Sequence, residues 1–293
     1  MERHRVTLTD LTLAEREPLV MVTAYDASSA RLTDSAGVDL ILVGDTLAEF
    51  ALGYDSTTPV TVNEMLHHCQ AVTRIRPRAL VVGDMPLGSY QVSTEEAVRN
   101  AIRFVKEGGV DAVKIEGGRV RGETIRAIAE AGIAVMGHIG FTPQSAVSFG
   151  SQIVAGRDVQ GAMELYRDAF ALQEAGCFAI VIEAVARAVA SRITAELAIP
   201  TIGIGSGAGC SGQVLVFHEL TGIHPGPSPR FVHRYGEAGI AIQQAISFFA
   251  RDVRSGAYPD KEHSYLMPTE EITRFEHAIT SERRNTPFRS KSA

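Results

Sequence analysis

At 293 residues, with 45% hydrophobic and 21% charged side chains, the chain has the length and make-up of one large enzyme-like domain, not of a disordered or fibrous protein. A net charge of −6 without a basic stripe argues against nucleic acid as a partner. Cys69, Cys177 and Cys210 are odd in number and widely spaced, which argues against a disulfide framework or a cysteine zinc site and fits a reducing cytoplasm. Neither the opening Met1–Leu8 segment nor any later stretch has the apolar run expected of an export signal or a membrane span.

In chain order, apolar runs of strand length alternate with segments of helical period, the pattern of βα units around a parallel sheet. The strands are expected at 19–26, 39–45, 79–84, 112–116, 134–138, 178–183, 200–205 and 213–217. Helices are expected from Ala30 to Gly37, from near Asn63, after Ser93-Thr94-Glu95-Glu96 with its capping chemistry, and over about 160–175. Residues 141–158 form a long irregular loop of the kind that covers binding sites. Eight strands predict an α/β fold, a closed (β/α)₈ TIM barrel, as a single domain over 1–265. An alanine-rich helix is expected near 236–251. A polar C-terminal extension, 266–293, follows with a weak apolar face of Ile272, Phe275 and Ile279 and a disordered end.

Charged side chains stand where these apolar runs stop. Asp45 and Asp84 each follow a Val-Gly pair, at 43–44 and 82–83, and Glu116 closes Ala112-Val113-Lys114-Ile115. Strand-end acids at one mouth of a parallel barrel point to a hard divalent cation held by oxygens, Mg²⁺ above all. Alternation puts Lys114 and Glu116 on one strand face, opposite Val113 and Ile115, an ion pair too costly to bury unless it serves chemistry or a metal. His138 ends the fifth strand level with the acids. Glu183 closes the sixth after an unbroken apolar run, the setting of a desolvated general base.

Several of these readings have a structural rival, though Asp84 has no capping alternative. Thr46-Leu47-Ala48-Glu49 has the spacing of a capping box, Glu183 has Arg187 four residues on as a salt-bridge partner, and His67 and His68 read as helix surface or packing residues. Gly203-Ile204-Gly205-Ser206-Gly207-Ala208-Gly209 fits neither nucleotide-binding glycine pattern and is expected to be a ligand-facing turn.

Several of these segments together resemble the ketopantoate hydroxymethyltransferase family: Val43-Gly44-Asp45-Thr46-Leu47, Gly53-Tyr54-Asp55-Ser56-Thr57-Thr58-Pro59, Asp84-Met85-Pro86, Val113-Lys114-Ile115-Glu116-Gly117-Gly118 and Gly137-His138-Ile139-Gly140-Phe141-Thr142-Pro143-Gln144-Ser145. The resemblance runs from about residue 6 to 265. It implies a barrel of the phosphoenolpyruvate-binding superfamily, assembled as a homodecamer. It also implies Mg²⁺-dependent transfer of a hydroxymethyl group from 5,10-methylenetetrahydrofolate to 3-methyl-2-oxobutanoate. By motif, Asp45, Asp84 and Glu116 correspond to the metal acids, Asp45, Asp84, Thr46, Lys114 and His138 to substrate contacts, and Glu183 to the catalytic base.

The family usually has Ser where Thr46 stands, Gly for Ala48, Phe for Leu87 and an acid for Ser211. All four departures are expected to lie near the substrate, leaving open a relative acting on a different 2-oxo acid. A carbon–carbon lyase or phosphonomutase on the same scaffold would carry a lid motif that the chain lacks, and a noncatalytic binding relative would be expected to have lost the acids or the base.

Overall fold

The computed structural model describes residues 4–12, 17–145 and 154–285. Eight parallel strands close into a barrel in sequence order. They are β1 (Leu19–Thr23), β2 (Leu40–Val43), β3 (Leu80–Asp84), β4 (Ala112–Glu116), β5 (Ala134–Gly140), β6 (Cys177–Glu183), β7 (Thr201–Ile204) and β8 (Gly212–Leu215). The TIM-barrel expectation holds, and β1 pairs with β8 to close the ring. The barrel belongs to a compact unit that ends at Ala238; a second unit begins at Gly239. Among the described residues no helix is long and apolar enough to cross a membrane.

The strands read as continuous apolar runs because both of their faces are covered. Val81, Val113, Ile115 and Ile180 pack outward beneath the helices, whereas Leu40, Leu80, Val82, Met136 and Val181 fill the barrel interior. α1 (Leu8–Leu11) precedes β1; between the strands run α2 (Ala27–Ser35), α3 (Leu47–Phe50), α4 (Val62–Thr73), α5 (Thr94–Lys106), α6 (Gly122–Glu130), α7 (Val159–Glu174) and α8 (Arg187–Glu196), and α9 (Phe217–Leu220) follows β8. α10 (Ala238–Ser255), all but its first residue, and α11 (Thr269–Asn285) lie in the second unit.

Local capping chemistry sets several boundaries. Asp26 accepts from Ser29 N at 2.7 Å and starts α2, so the first strand stops at Thr23 instead of running to 26. Ser93 accepts from Glu96 N at 3.1 Å and opens α5 as expected. The eighth strand ends at Leu215 because Phe217 already begins α9. On α11, Phe275 and Ile272 are exposed, and the expected disordered end beyond 285 lies outside the described residues, as does 146–153 of the long loop.

Candidate active site

Register brings the strand-end residues to one level. Asp84 is paired with Lys114 across β3 and β4, and Glu116 with His138 across β4 and β5. Gly140 is paired with Glu183 across β5 and β6. All six side chains named for chemistry at the strand ends, Asp45, Asp84, Lys114, Glu116, His138 and Glu183, line one inner chamber of about 50 Å³, with Thr46 at its edge.

Lys114 is buried and donates to both oxygens of Asp84, at 2.8 and 2.6 Å, while Glu116 Oε1 stands 3.8 Å from the same ammonium. The expected Lys114–Glu116 pairing is therefore shared, with Asp84 the closer partner. Burial pulls against the Lys114 charge, but Asp84, Glu116 and Asp45 outweigh it and raise its pKa, so it stays cationic. Asp45 has no cation in contact. Burial and the like charges of Asp84 and Glu116 raise its pKa well above the usual carboxylate range, opposed by the Lys114 charge first and then by a hydrogen bond from Gln144. Asp84 is raised too, by burial first, with Lys114 opposing and Glu116 adding.

His138 lies between two carboxylates, 3.3 Å from Glu116 Oε1 through Nδ1 and 3.3 Å from Glu183 Oε2 through Nε2. Burial and the Lys114 charge disfavour its proton, yet the two carboxylates prevail and push its pKa up to about 9. The same contact holds Glu116 below its ordinary value against the effect of burial. Neither 3.3 Å contact is aligned as a hydrogen bond, so Glu116 Oε1 and both imidazole nitrogens, though ion-paired, are buried polar atoms of the chamber lining with no hydrogen-bond partner among the described residues. Such atoms call for a polar ligand.

Glu183 is not the isolated carboxylate that its apolar run implies, since His138 stands beside it and its side chain keeps 17% exposure. Gly140 lets the backbones of β5 and β6 approach closely at this level. It takes φ +99°, and a Cβ there would fall 2.1 Å from the Glu183 carbonyl oxygen. Phe141 N then donates to that oxygen at 2.9 Å. Thr46 N-caps α3 without a side-chain cap, so the capping-box rival fails; its hydroxyl instead meets Tyr25 Oη at 2.7 Å. His68 serves packing, with Nδ1 2.6 Å from the Tyr25 carbonyl.

Above the inner chamber lies a vestibule of about 440 Å³ walled by Phe50, Phe141, Phe231, Pro143, Pro227 and Pro229, with Glu49, Glu219 and His224 among its polar groups. Thr46, Pro143, Glu183, Ile204 and Val216 line both spaces, so Glu183 stands at their junction.

The glycine-rich segment is partly packed, with a Cβ on Gly205 falling 2.8 Å from the Phe231 ring and Ser206 Oγ donating to the Ile182 carbonyl at 2.7 Å, while its Ile204 lines both spaces. Three of the four departures need correction. Ser211 precedes β8 at the opposite, N-terminal end of the barrel, where its hydroxyl accepts from Thr201 N at 3.1 Å, so it does not border the substrate. Ala48 is buried in the packing outside the barrel and Leu87 is exposed; neither lines the two spaces, and of the four departures only Thr46 does. Conversely, Tyr25, Tyr90 and Gln144 bind the site together and escaped a reading based on strand ends. Gln144 lies in a segment that carries the resemblance, which assigns it no role, and Tyr90 sits in a loop without periodicity, where no local signal marks it.

The family model for ketopantoate hydroxymethyltransferase matches residues 5–261. The chain belongs to this family. It is therefore a hydroxymethyltransferase of pantothenate biosynthesis, which decides against the lyase, phosphonomutase and noncatalytic readings. A 3-methyl-2-oxobutanoate hydroxymethyltransferase of Moorella thermoacetica is 52% identical over 266 residues, covering 90% of this chain and 99% of its own. One of Heliobacterium modesticaldum is 52% identical over 252 residues, covering 86% and 91%. In fold the chain is also similar to phosphonopyruvate hydrolase, solved in complex with oxalate and Mg²⁺, at TM-score 0.56 and 14% identity over 92% of this chain and 95% of that one.

Proposed function

We propose that the enzyme carries out Mg²⁺-dependent transfer of a hydroxymethyl group from 5,10-methylenetetrahydrofolate, with water, to 3-methyl-2-oxobutanoate, giving 2-dehydropantoate and tetrahydrofolate. The observation that carries this reading is the position of Glu183, at the junction of a small charged chamber and a larger aromatic vestibule. A carbon transfer needs that arrangement, because the carbon that loses its proton must face the one-carbon donor.

The acids fit a divalent cation by charge. Four carboxylates, Asp45, Asp84, Glu116 and Glu183, face two cations, Lys114 and His138, which leaves two negative charges when all are ionised. Among the described residues no three acidic, imidazole or thiol groups gather closely enough to hold an ion by themselves. Mg²⁺ commonly binds through one or two carboxylates and completes its shell with water and substrate oxygens. Asp45 and Asp84 would hold it, with Glu116 completing the acidic charge. Bound there, it supplies positive charge where the 2-oxo group gains electron density.

Lys114 keeps one donor beyond its two bonds to Asp84 and offers it, with the Thr46 hydroxyl and His138, to the substrate's oxygens. Val181, Ile204, Val214 and Val216 line the remaining wall and fit a branched alkyl end. Glu183 takes the C3 proton there, with His138 3.3 Å from its carboxylate as the neighbouring charge. In the vestibule, Phe50, Phe141 and Phe231 offer stacking surfaces for a pterin ring, and Glu49 and Glu219 accept from ring N–H donors. The homodecamer implied by the motifs belongs to the same reading. Exposed Ile240, Ile246 and Phe249 on α10 support association between copies, and the number ten comes from the motifs alone.

The test follows C3 proton exchange of 3-methyl-2-oxobutanoate in heavy water with Mg²⁺ and without folate. The parent enzyme should exchange, and Glu183→Gln should bind metal and 2-oxo acid normally yet exchange ~10²- to 10⁴-fold more slowly. Exchange by Glu183→Gln at the parental rate would assign the base to another group.

A further inference from the structure

We infer that Gln144 is a positioning residue for the metal site, its carboxamide locked in one orientation so that it donates to Asp45. The inference rests on the reading of the strand-end acids as a Mg²⁺ site. Gln144 is 3% exposed and follows β5 in the Pro143–Ser145 turn. Its Nε2 donates to Asp45 Oδ2 at 2.9 Å and to the Met85 carbonyl at 3.0 Å. Its Oε1 accepts from Tyr90 Oη at 2.6 Å, and its backbone N–H donates to Glu116 Oε2 at 3.1 Å. Tyr90 closes the ring by accepting from Glu116 N at 3.3 Å.

The orientation of this amide is forced by chemistry. The Met85 carbonyl only accepts, so the NH₂ end must face it, and the remaining N–H then points at Asp45. Tyr90 supplies the O–H that the opposite end of the amide needs. One residue thereby ties two of the three acids, which arise on different strands, into a fixed spacing.

The choice of a neutral donor also has an electrostatic logic. Asp84 already spends its charge on the Lys114 ammonium, with both oxygens engaged. A second cation on Asp45 would compete with the metal for charge, whereas an amide fixes the carboxylate and leaves its charge to the ion. Asp45 and Gln144 are 99 residues apart, and the pairing exists only through the closure of the barrel.

The experiment is calorimetric titration of the full-length protein with Mg²⁺ alone, together with kcat and KM at rising Mg²⁺. Gln144→Met keeps length and bulk but loses both donors, and it should weaken Mg²⁺ binding ~10- to 100-fold, with kcat restored at saturating Mg²⁺. Tyr90→Phe keeps the ring and should shift affinity in the same direction by less, which preserves the test should Gln144→Met fold poorly. A role limited to loop packing would lower Tm and kcat together with no rescue by Mg²⁺, and that result would overturn the inference. Parental Mg²⁺ affinity in both variants would also overturn it. Asp45→Ala serves as the control: if it alone loses Mg²⁺ binding, the positioning role fails and the metal site stands. If it too binds as the parent does, the metal reading itself fails.

Discussion

The inner chamber has two unlike walls. From β2 to β5 its lining is mostly charged: beyond Leu42, Asp45, Asp84, Lys114, Glu116 and His138 follow one another around the mouth. From β6 to β8 it is hydrocarbon, with Val181, Ile204, Val214 and Val216, and Glu183 is the lone carboxylate. Burying an ion costs several kcal/mol after relaxation, so a counter-charge on a neighbouring strand matters. Segregation supplies such a partner to four of the five charged groups, and Asp45 is the exception. Asp84 meets Lys114 and Glu116 meets His138 across adjacent strands, while the opposite wall gains about 1.5 to 3 kcal/mol for each large apolar side chain it buries. The division also gives a small oxo acid one orientation, with its oxygens toward the charges and its alkyl end toward the valines.

Removing a charge from the first wall should have the largest effect. Asp84→Ala is expected to abolish Mg²⁺-dependent substrate binding and also to lower stability by ~3 to 5 kcal/mol, because the buried Lys114 ammonium loses both of its close hydrogen bonds. Asp45→Ala should abolish the same binding at a smaller stability cost, since Asp45 has no contacting cation and is opposed by Asp84 and Glu116. Calorimetry with urea unfolding separates the two effects. Equal stability losses would show that the wall is not organised in counter-charge pairs.

How far these walls were legible in the sequence depends on what placed each residue. A parallel strand covered on both faces is an unbroken apolar run, so the first charge after it marks the mouth of the barrel. This is why Asp45, Asp84, Glu116 and Glu183 stood out. Lys114 was readable from period-two alternation on β4. The hydrocarbon wall was not, because Val181 and Val214 look like any other strand valine until closure turns them toward the chamber. Ser211 shows the converse error: resemblance marks a position as unusual, but only strand direction says which end of the barrel it occupies. Gln144 and Tyr90 depend on contacts spanning 54 and 99 residues, beyond any local pattern.

A moderate effect is expected on the second wall. Val181→Ala removes two methyl groups from the chamber lining and should leave Mg²⁺ binding intact. It should raise KM for 3-methyl-2-oxobutanoate by ~5- to 100-fold, on the scale of one or two methylene contacts in a tight pocket. A 2-oxo acid with a longer branched chain should lose less, or gain. Competition kinetics with the two acids measure the shift. An unchanged preference would mean that the alkyl end does not face this wall.

The smallest effect is expected at the edge where the walls meet. Thr46 lines both chamber and vestibule, and its hydroxyl is fixed by Tyr25, whose own ring is fully buried. Thr46→Ser retains that hydroxyl and its hydrogen bond while removing one methyl, so metal binding and the proton-exchange rate should hold. The methyl is worth about 0.8 kcal/mol if the substrate packs on it, which corresponds to roughly a fourfold rise in KM. If instead the methyl crowds 3-methyl-2-oxobutanoate, as it would in an enzyme shaped for a smaller acid, KM should fall by a similar factor and a straight-chain acid should lose its advantage. The sign of that small change in KM, measured for both acids, tells which substrate the pocket is built around.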